Sequence, residues 1–311
     1  MNDIEKFESL QTKVKLNPKN FQARRELIMF CLDLGFEKAA LSHIKYLLKI
    51  FPNDADLYFN CGICWEKMKN LDNAYAAYKK AIEIKPEEPD FLFNLALLEE
   101  QMGNIDEAIE DFKKVIFYKN EDGNAFFSIG LLYSKKGNSE TAIKCFKKAI
   151  ECNYSDYFSH FYLACEYKKS KEYDFALVEY RKVLELSPDY SWAYFNTAQI
   201  YFELERYNDS IIMLQKTIEK NPKDVEACRL LGQILIKQNK IKEAKDFIIN
   251  FTEKHDNGDM YYIMSKLFAM DGDVKSQIET LELVFENQKT LTFDINSIKA
   301  EYNELKKQNV K

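Results

Sequence analysis

Three histidines, His43, His160 and His255, and one Cys-x-x-Cys pair, Cys61 and Cys64, are the groups of this 311-residue chain best suited to proton transfer, redox or metal chemistry. The histidines are far apart, and none stands in an H-E-x-x-H run or a His/Cys cluster with metal-ligand spacing. A redox Cys-x-x-Cys needs a helix N-terminus to lower a thiol pKa. Cys61 and Cys64 fall inside a helical pattern instead, three residues apart on one face, where they read as packing thiols. With Cys31, Cys145, Cys152, Cys165 and Cys228 the total is odd, and no disulfide framework is implied. No G-x-S-x-G, Walker or dinucleotide-binding loop is present. The expectation is a protein that is not an enzyme and has no metal or cofactor of its own.

A second set of residues could do a different kind of chemistry, that of holding a chain. Phe59, Phe93, Phe127, Phe161 and Phe195 stand 34 residues apart. Asn60, Asn94 and Asn196 each follow one of them, with Ser128 and Tyr162 in the two remaining places. Trp192 precedes Asn196 by one helical turn. An asparagine amide can pair with both the donor and the acceptor of an extended peptide backbone. Aromatic stripes at regular spacing are also core material. Both readings stay open, since one ring can be buried on one edge and open on the other.

The elements that carry these residues follow from the prolines. Pro18, Pro52, Pro86, Pro188 and Pro222 lie on one series of step 34, with Asn120 and Tyr154 in its two empty places. Proline stops a helix because it lacks an amide donor and clashes with the preceding turn. A stop at this period marks an array of helix–turn–helix units. The units run 21–54, 55–88, 89–122, 123–156, 157–190, 191–224, 225–257 and 258–291. Small residues keep register at position 8 (Gly62, Ala96, Gly130, Ala164, Ala198, Gly232, Ser265) and at position 20 (Ala40, Ala74, Ala108, Ala142, Ala176, Ser210, Ala244). Two helices crossing closely need such residues where their axes approach. Large residues recur at position 11 (Trp65, Tyr133, Tyr167, Tyr201) and position 24 (Tyr78, Phe112, Phe146, Tyr180). Gly35, Gly103, Gly137 and Gly272 at position 15 end the first helix in a left-handed turn. Asn70, Asn104, Asn138 and Asp273 follow as N-caps, and Asn104 with Glu107 has capping-box spacing. Apolar stripes, Ile4, Phe7, Leu10 and Val14 at one end and Ile295, Ile298, Tyr302 and Leu305 at the other, predict capping helices over 1–20 and 292–311. Lys299, Glu301, Glu304, Lys306 and Lys307 should face solvent.

These residues resemble the tetratricopeptide repeat family, most clearly in Tyr58, Gly62, Trp65, Ala74, Tyr78, Ala81 and Pro86. The likeness spans roughly 21–291 and fades in the last unit, where Gln277 and Lys289 replace alanine and proline. It implies an all-α, right-handed α-solenoid of about eight repeats. It also implies a concave groove lined by the first helices, with the phenylalanines and asparagines on that face. Asp56, Glu66, Asp90 and Glu100 would then gather in the second and third units, and Lys135, Lys168 and Lys169 in the fourth and fifth, as a bipolar groove or as solvated helix faces. The family's clamp for chaperone tails is incomplete. Arg25 or Phe59 stands where its first lysine belongs, and Asp90 with Asn94, or Asn124 with Ser128, replaces its basic pair. On the outer face, Lys79-Lys80, Lys113-Lys114, Lys147-Lys148 and Arg181-Lys182 recur. Glu83, Glu151 and Glu185 stand four residues after Lys79, Lys147 and Arg181, predicting surface ion pairs.

The chain is 46% hydrophobic and 30% charged, a globular balance, and its net charge of −6 lacks the clustered positive charge of a nucleic-acid binder. No apolar run approaches membrane-spanning length, and the first residues show no signal or lipidation pattern, so a cytoplasmic protein is expected. The expected function is a scaffold or adaptor that binds a peptide segment of a protein partner in the groove. The alternatives are a substrate-selecting or regulatory subunit of a separate enzyme such as a glycosyltransferase, and a self-associating structural protein. Whether 292–311 folds back into the groove is open at this level.

Overall fold

A computed structural model describes residues 3–309, so the outermost residues of the expected caps 1–20 and 292–311 lie outside it. Every α-helix follows from the register. After α1 (Asp3–Leu16), helices come in pairs. We call the members of each pair A and B. The pairs are α2 (Phe21–Asp33) with α3 (Glu37–Leu48), α4 (Ala55–Lys67) with α5 (Leu71–Ile84), α6 (Pro89–Met102) with α7 (Ile105–Tyr118), and α8 (Gly123–Lys135) with α9 (Ser139–Cys152). They continue as α10 (Tyr157–Lys169) with α11 (Tyr173–Leu186), α12 (Ser191–Glu203) with α13 (Tyr207–Lys220), α14 (Val225–Lys237) with α15 (Ile241–Thr252), and α16 (Gly258–Met270) with α17 (Val274–Glu286). A short 3-10 turn, Gln288–Thr290, precedes α18 (Ile295–Asn309). The fold is all-α, an α-solenoid, with no strand among the described residues. No described helix is long and apolar enough to cross a membrane.

The chain divides into two compact units, Met1–Ser159 and His160–Lys311, with the division inside α10. In the first, α4 packs on α5, α6 on α7 and α8 on α9, and α3, α5 and α7 also meet the next A helix. The reason is visible at two register positions. The residue at position 24 (Tyr78, Phe112, Phe146) is fully buried, and so is the alanine at position 20 (Ala74, Ala108, Ala142). The aromatic ring lies on the position-8 residue of its own A helix. A methyl group on Gly62 would come within 2.4 Å of the Tyr78 ring, and one on Gly130 within 2.6 Å of Phe146. The second unit repeats the plan with Tyr180, Leu214, Ile248 and Leu281 at position 24. There Ser210 replaces alanine at position 20 and donates to the carbonyl of Ala198, at 2.8 Å, so its hydroxyl is buried without loss.

The turns are more uniform than the glycines suggest. Gly35, Gly103, Gly137 and Gly272 have φ of +74 to +88°. Lys69, Lys171, Glu205 and Asn239 take the same left-handed turn in the other pairs, with φ of +57 to +62°. Backbone geometry at this position is dictated by the hairpin, and ordinary side chains bear the strain. Asn70, Asn138 and Asp273 cap their B helices, whereas Asn104 makes no side-chain cap bond and the expected capping box is absent. A second set of caps, unremarked in the sequence, starts the A helices: Asn20, Asp54, Asp122, Asp224 and Asn257.

At the C-terminal end α18 packs on α17 as a further helix of the stack. Ile298 is fully buried, and Tyr302 and Leu305 pack beside it. Glu301, expected to face solvent, turns inward to accept from Lys266 at 2.7 Å and Gln277 at 3.1 Å. This explains why the last pair departs from the pattern: Gln277 serves the cap helix where alanine would serve another repeat. At the other end Leu10 and Val14 are buried, while Ile4 is 67% exposed and lies off the expected stripe.

Candidate interaction surface

In the first unit the position-5 phenylalanines are half-buried. Phe59 stacks on Phe91 with ring centres 4.6 Å apart and tilts against Tyr78 at 5.5 Å. Phe93 meets Phe112 edge-on at 5.1 Å, and Phe127 meets Phe146 at 5.8 Å. Each ring thus rests on the position-24 aromatic of its own repeat and stays half-buried. Asn60 and Asn94 stand beside them, also half-buried. Asn94 donates Nδ2 to the carbonyl of Asp90 at 2.8 Å, which holds the amide against its own helix and leaves its oxygen to accept. Leu97, one turn beyond Phe93 on the same helix, is exposed. The structure therefore brings Phe59, Phe93 and Phe127 to equivalent places on successive A helices, next to Asn60 and Asn94.

The second unit treats the same positions differently. Phe161 and Phe195 are only 8% and 7% exposed. Tyr190 lies edge-on against Phe161 at 5.1 Å, at the position that Asp54, Asp122 and Asp224 fill as caps in other repeats. Phe195 packs into the core with Ala198, Leu214 and Leu231. These two rings are core residues, which corrects their expected role as groove contacts. Trp192 is 54% exposed, and Asn196 donates Nδ2 to its carbonyl at 2.8 Å. Asn196 also accepts from Lys168 Nζ at 2.8 Å, and Gln199 accepts from the same nitrogen at 2.5 Å. Sequence reading missed this cluster, because it needs two A helices laid side by side.

The expected bipolar charge pattern is replaced by local pairs. Asp56 binds Lys85 at 3.1 Å, Glu66 accepts from the Tyr78 hydroxyl at 2.7 Å, and Lys135 pairs with Glu100 at 2.7 Å. Lys169 is held by Glu166 at 2.5 Å. Asp90 has an exposed side chain. Lys168 differs from the rest. Its amide partners are neutral, and burial pushes its pKa down, with Cys165 and Glu203 acting weakly the other way.

Outside this surface the titratable groups look structural. Cys64 is fully buried and Cys61 half-buried; burial pushes the Cys64 thiol up to about 12 and raises Cys61 as well. All seven cysteines are free thiols. His160 is buried against Glu179 at 2.7 Å, and His43 bonds Arg24 at 2.9 Å, with burial first and Arg24 second lowering its pKa. No described group of three His, Cys, Asp or Glu could hold a metal ion. On the outer face ion pairs form as Lys80–Glu83, Lys148–Glu151 and Lys182–Glu185. Glu99 is the exception to this structural plainness. It occupies position 11, where neighbouring repeats have Trp65 and Tyr133, and is 3% exposed with one carboxylate oxygen unpartnered. Burial, then the nearby Asp111, pushes its pKa up to about 7.

Models of the tetratricopeptide repeat match residues 55–88, 77–110 and 123–155, and a model described as anaphase-promoting complex, cyclosome, subunit 3 matches 169–251. No curated protein sequence is significantly similar to the chain. Solved structures are. The pilF protein of Pseudomonas aeruginosa superposes with a TM-score of 0.59 at 16% identity, covering 68% of this chain and 97% of its own. A tetratricopeptide repeat protein from Parabacteroides merdae gives 0.56 at 16% identity, covering 81% and 98%. YrrB, described as a TPR protein with an unusual peptide-binding site, gives 0.52 at 23% identity, covering 59% and 95%. At these identities the likeness concerns the fold. Repeat models match 55–88 and 123–155 in one 34-residue register, over helix pairs that share one core pattern, and leave one assignment: this is a tetratricopeptide repeat protein.

Proposed function

We propose that this protein is a non-catalytic interaction scaffold whose first unit binds an extended, apolar segment of a protein partner along its A helices. The observation that carries the reading is the trio Phe59, Phe93 and Phe127. They repeat at one position on consecutive A helices, each half-open, each with its other edge fixed on a buried aromatic. Fixed aromatic footholds lose little entropy on binding. Asn60 and Asn94 beside them supply amide groups for a peptide backbone, and Leu97 extends the apolar strip. The paired charges on this face leave apolar contact as its main resource. YrrB, a relative in fold, is described as having a peptide-binding site.

The test is affinity capture by the intact chain from a lysate of its source, beside an Asn94→Ala/Leu97→Glu variant. Both substitutions sit at the surface, so melting should be unchanged. Partners captured by the wild type and lost from the variant are expected, with direct binding weakened at least tenfold. Equal capture by both proteins would remove this face from the interaction.

A further inference from the structure

We propose that Lys168, Asn196 and Gln199 form a receptor for a side-chain carboxylate, so that a partner segment bound by the second unit carries an Asp or Glu. This rests on the peptide-binding reading above. The Lys168 ammonium donates to Asn196 Oδ1 at 2.8 Å and Gln199 Oε1 at 2.5 Å. Asn196 is itself oriented, since its Nδ2 is held by the Trp192 carbonyl at 2.8 Å. The ammonium is therefore fixed by two amides on the neighbouring A helix, with a third N–H to offer. Neither amide neutralises it. Among the described residues no carboxylate lies within ion-pair distance of Lys168, while its neighbour Lys169 is taken by Glu166. Glu203 acts on it only weakly, behind burial and Cys165.

A half-buried charge with only neutral partners is an incomplete arrangement, because burial of a charge is normally matched by an opposite one. A carboxylate arriving at the third N–H would supply it as a charge-assisted bond in a partly desolvated place, where such bonds are strongest. The exposed Trp192 ring, on the same face as Asn196 one turn away, offers an apolar platform for the adjacent residue. A chain-end carboxylate has the same chemistry, and the two sources are separated by experiment.

The probe is a library of 12-residue peptides with both ends blocked, and the same library with free C-termini. The full chain, Lys168→Gln, Lys169→Gln and the Asn94→Ala/Leu97→Glu variant are each used for selection. Wild type and Lys169→Gln should enrich blocked peptides carrying Asp or Glu, and Lys168→Gln should lose that enrichment. For a selected peptide, Glu→Gln should weaken binding about tenfold to wild type and leave binding to Lys168→Gln unchanged. Acid enrichment that persists in Lys168→Gln would overturn the proposal, as would acid enrichment confined to free C-termini. Peptides that are retained without acid preference, and lost in the Asn94→Ala/Leu97→Glu variant, would sink the receptor and leave the peptide-binding surface standing. Retention of no peptide at all would sink both.

Discussion

The two units use one repeat and finish its position-5 aromatic in opposite ways. In the first unit Phe59, Phe93 and Phe127 stay half-buried, beside Asn60, Asn94 and Leu97. In the second, Phe161 is covered by Tyr190 and Phe195 is drawn into the core, and the surface they vacate is given to Trp192, Asn196 and Lys168. The same phenylalanine at the same register is a foothold in one place and a core residue in the other. What differs is its neighbours: Tyr190 lies against Phe161, and Phe195 packs among Ala198, Leu214 and Leu231.

The largest effect should come from that difference itself. Phe161→Ala should cost about 3–5 kcal/mol, as expected for a buried ring, and Phe127→Ala roughly half as much. Chemical denaturation of both variants would break the comparison if the two costs were equal. The small residues at position 8 should sharpen it by changing sign. Gly62→Ala and Gly130→Ala drive a methyl into Tyr78 and Phe146 and should destabilise by about 1–3 kcal/mol. Gly232 in the second unit has ordinary contact distances, 3.5 Å to Ile248 and 3.6 Å to Ile263. Gly232→Ala should therefore stabilise, by about 0.5–1 kcal/mol, through helix propensity alone.

Glu99 makes the first unit sensitive to pH. Its carboxyl is pushed up to about 7 in the fold, above its unfolded value of 4.5. Between those two values the folded chain holds the extra proton, so stability is greatest on the acid side and falls as pH rises through about 7. Thermal melts of wild type and Glu99→Gln should agree best at or below about pH 4.5. By pH 8 the variant should be the more stable, by about 1–3 kcal/mol. A difference independent of pH would show that Glu99 is not the titrating group.

The smallest effect is one on which the units should agree. Lys69 in the first and Lys171 in the second hold the left-handed turn that glycine fills elsewhere. Lys69→Gly and Lys171→Gly should each raise stability by up to about 1 kcal/mol. A gain in one unit and a loss in the other would mean that the turn is not the shared element it looks to be.

Much of this was legible in the residues. Position 20 carries alanine or serine in seven pairs, and position 24 is filled and buried, because two helices can approach only with something small opposite something large. The turn at position 15 was legible only where glycine marked it; Lys69, Lys171 and Glu205 carry no such mark, because the hairpin imposes the conformation from outside. Asn104 looked like the best cap of all and makes no cap bond, since spacing offers a hydrogen bond without ensuring its geometry. Of the candidate surface, Phe59, Phe93, Phe127, Asn60 and Asn94 are half-buried and Trp192 is exposed. Glu100 and Lys135 were read as opposite ends of a field and turn out to be one ion pair.

By itself the sequence determined the helix pairs, their period, their buried faces and their capped ends, because each of these depends on neighbours within one repeat or the next. The tertiary structure alone decided which phenylalanines remain open, which charges cancel, and that Lys168 rests on two amides without a counter-charge. Those outcomes depend on distances between residues about 30 positions apart, set by how one helix lies on another, and no spacing along the chain records that.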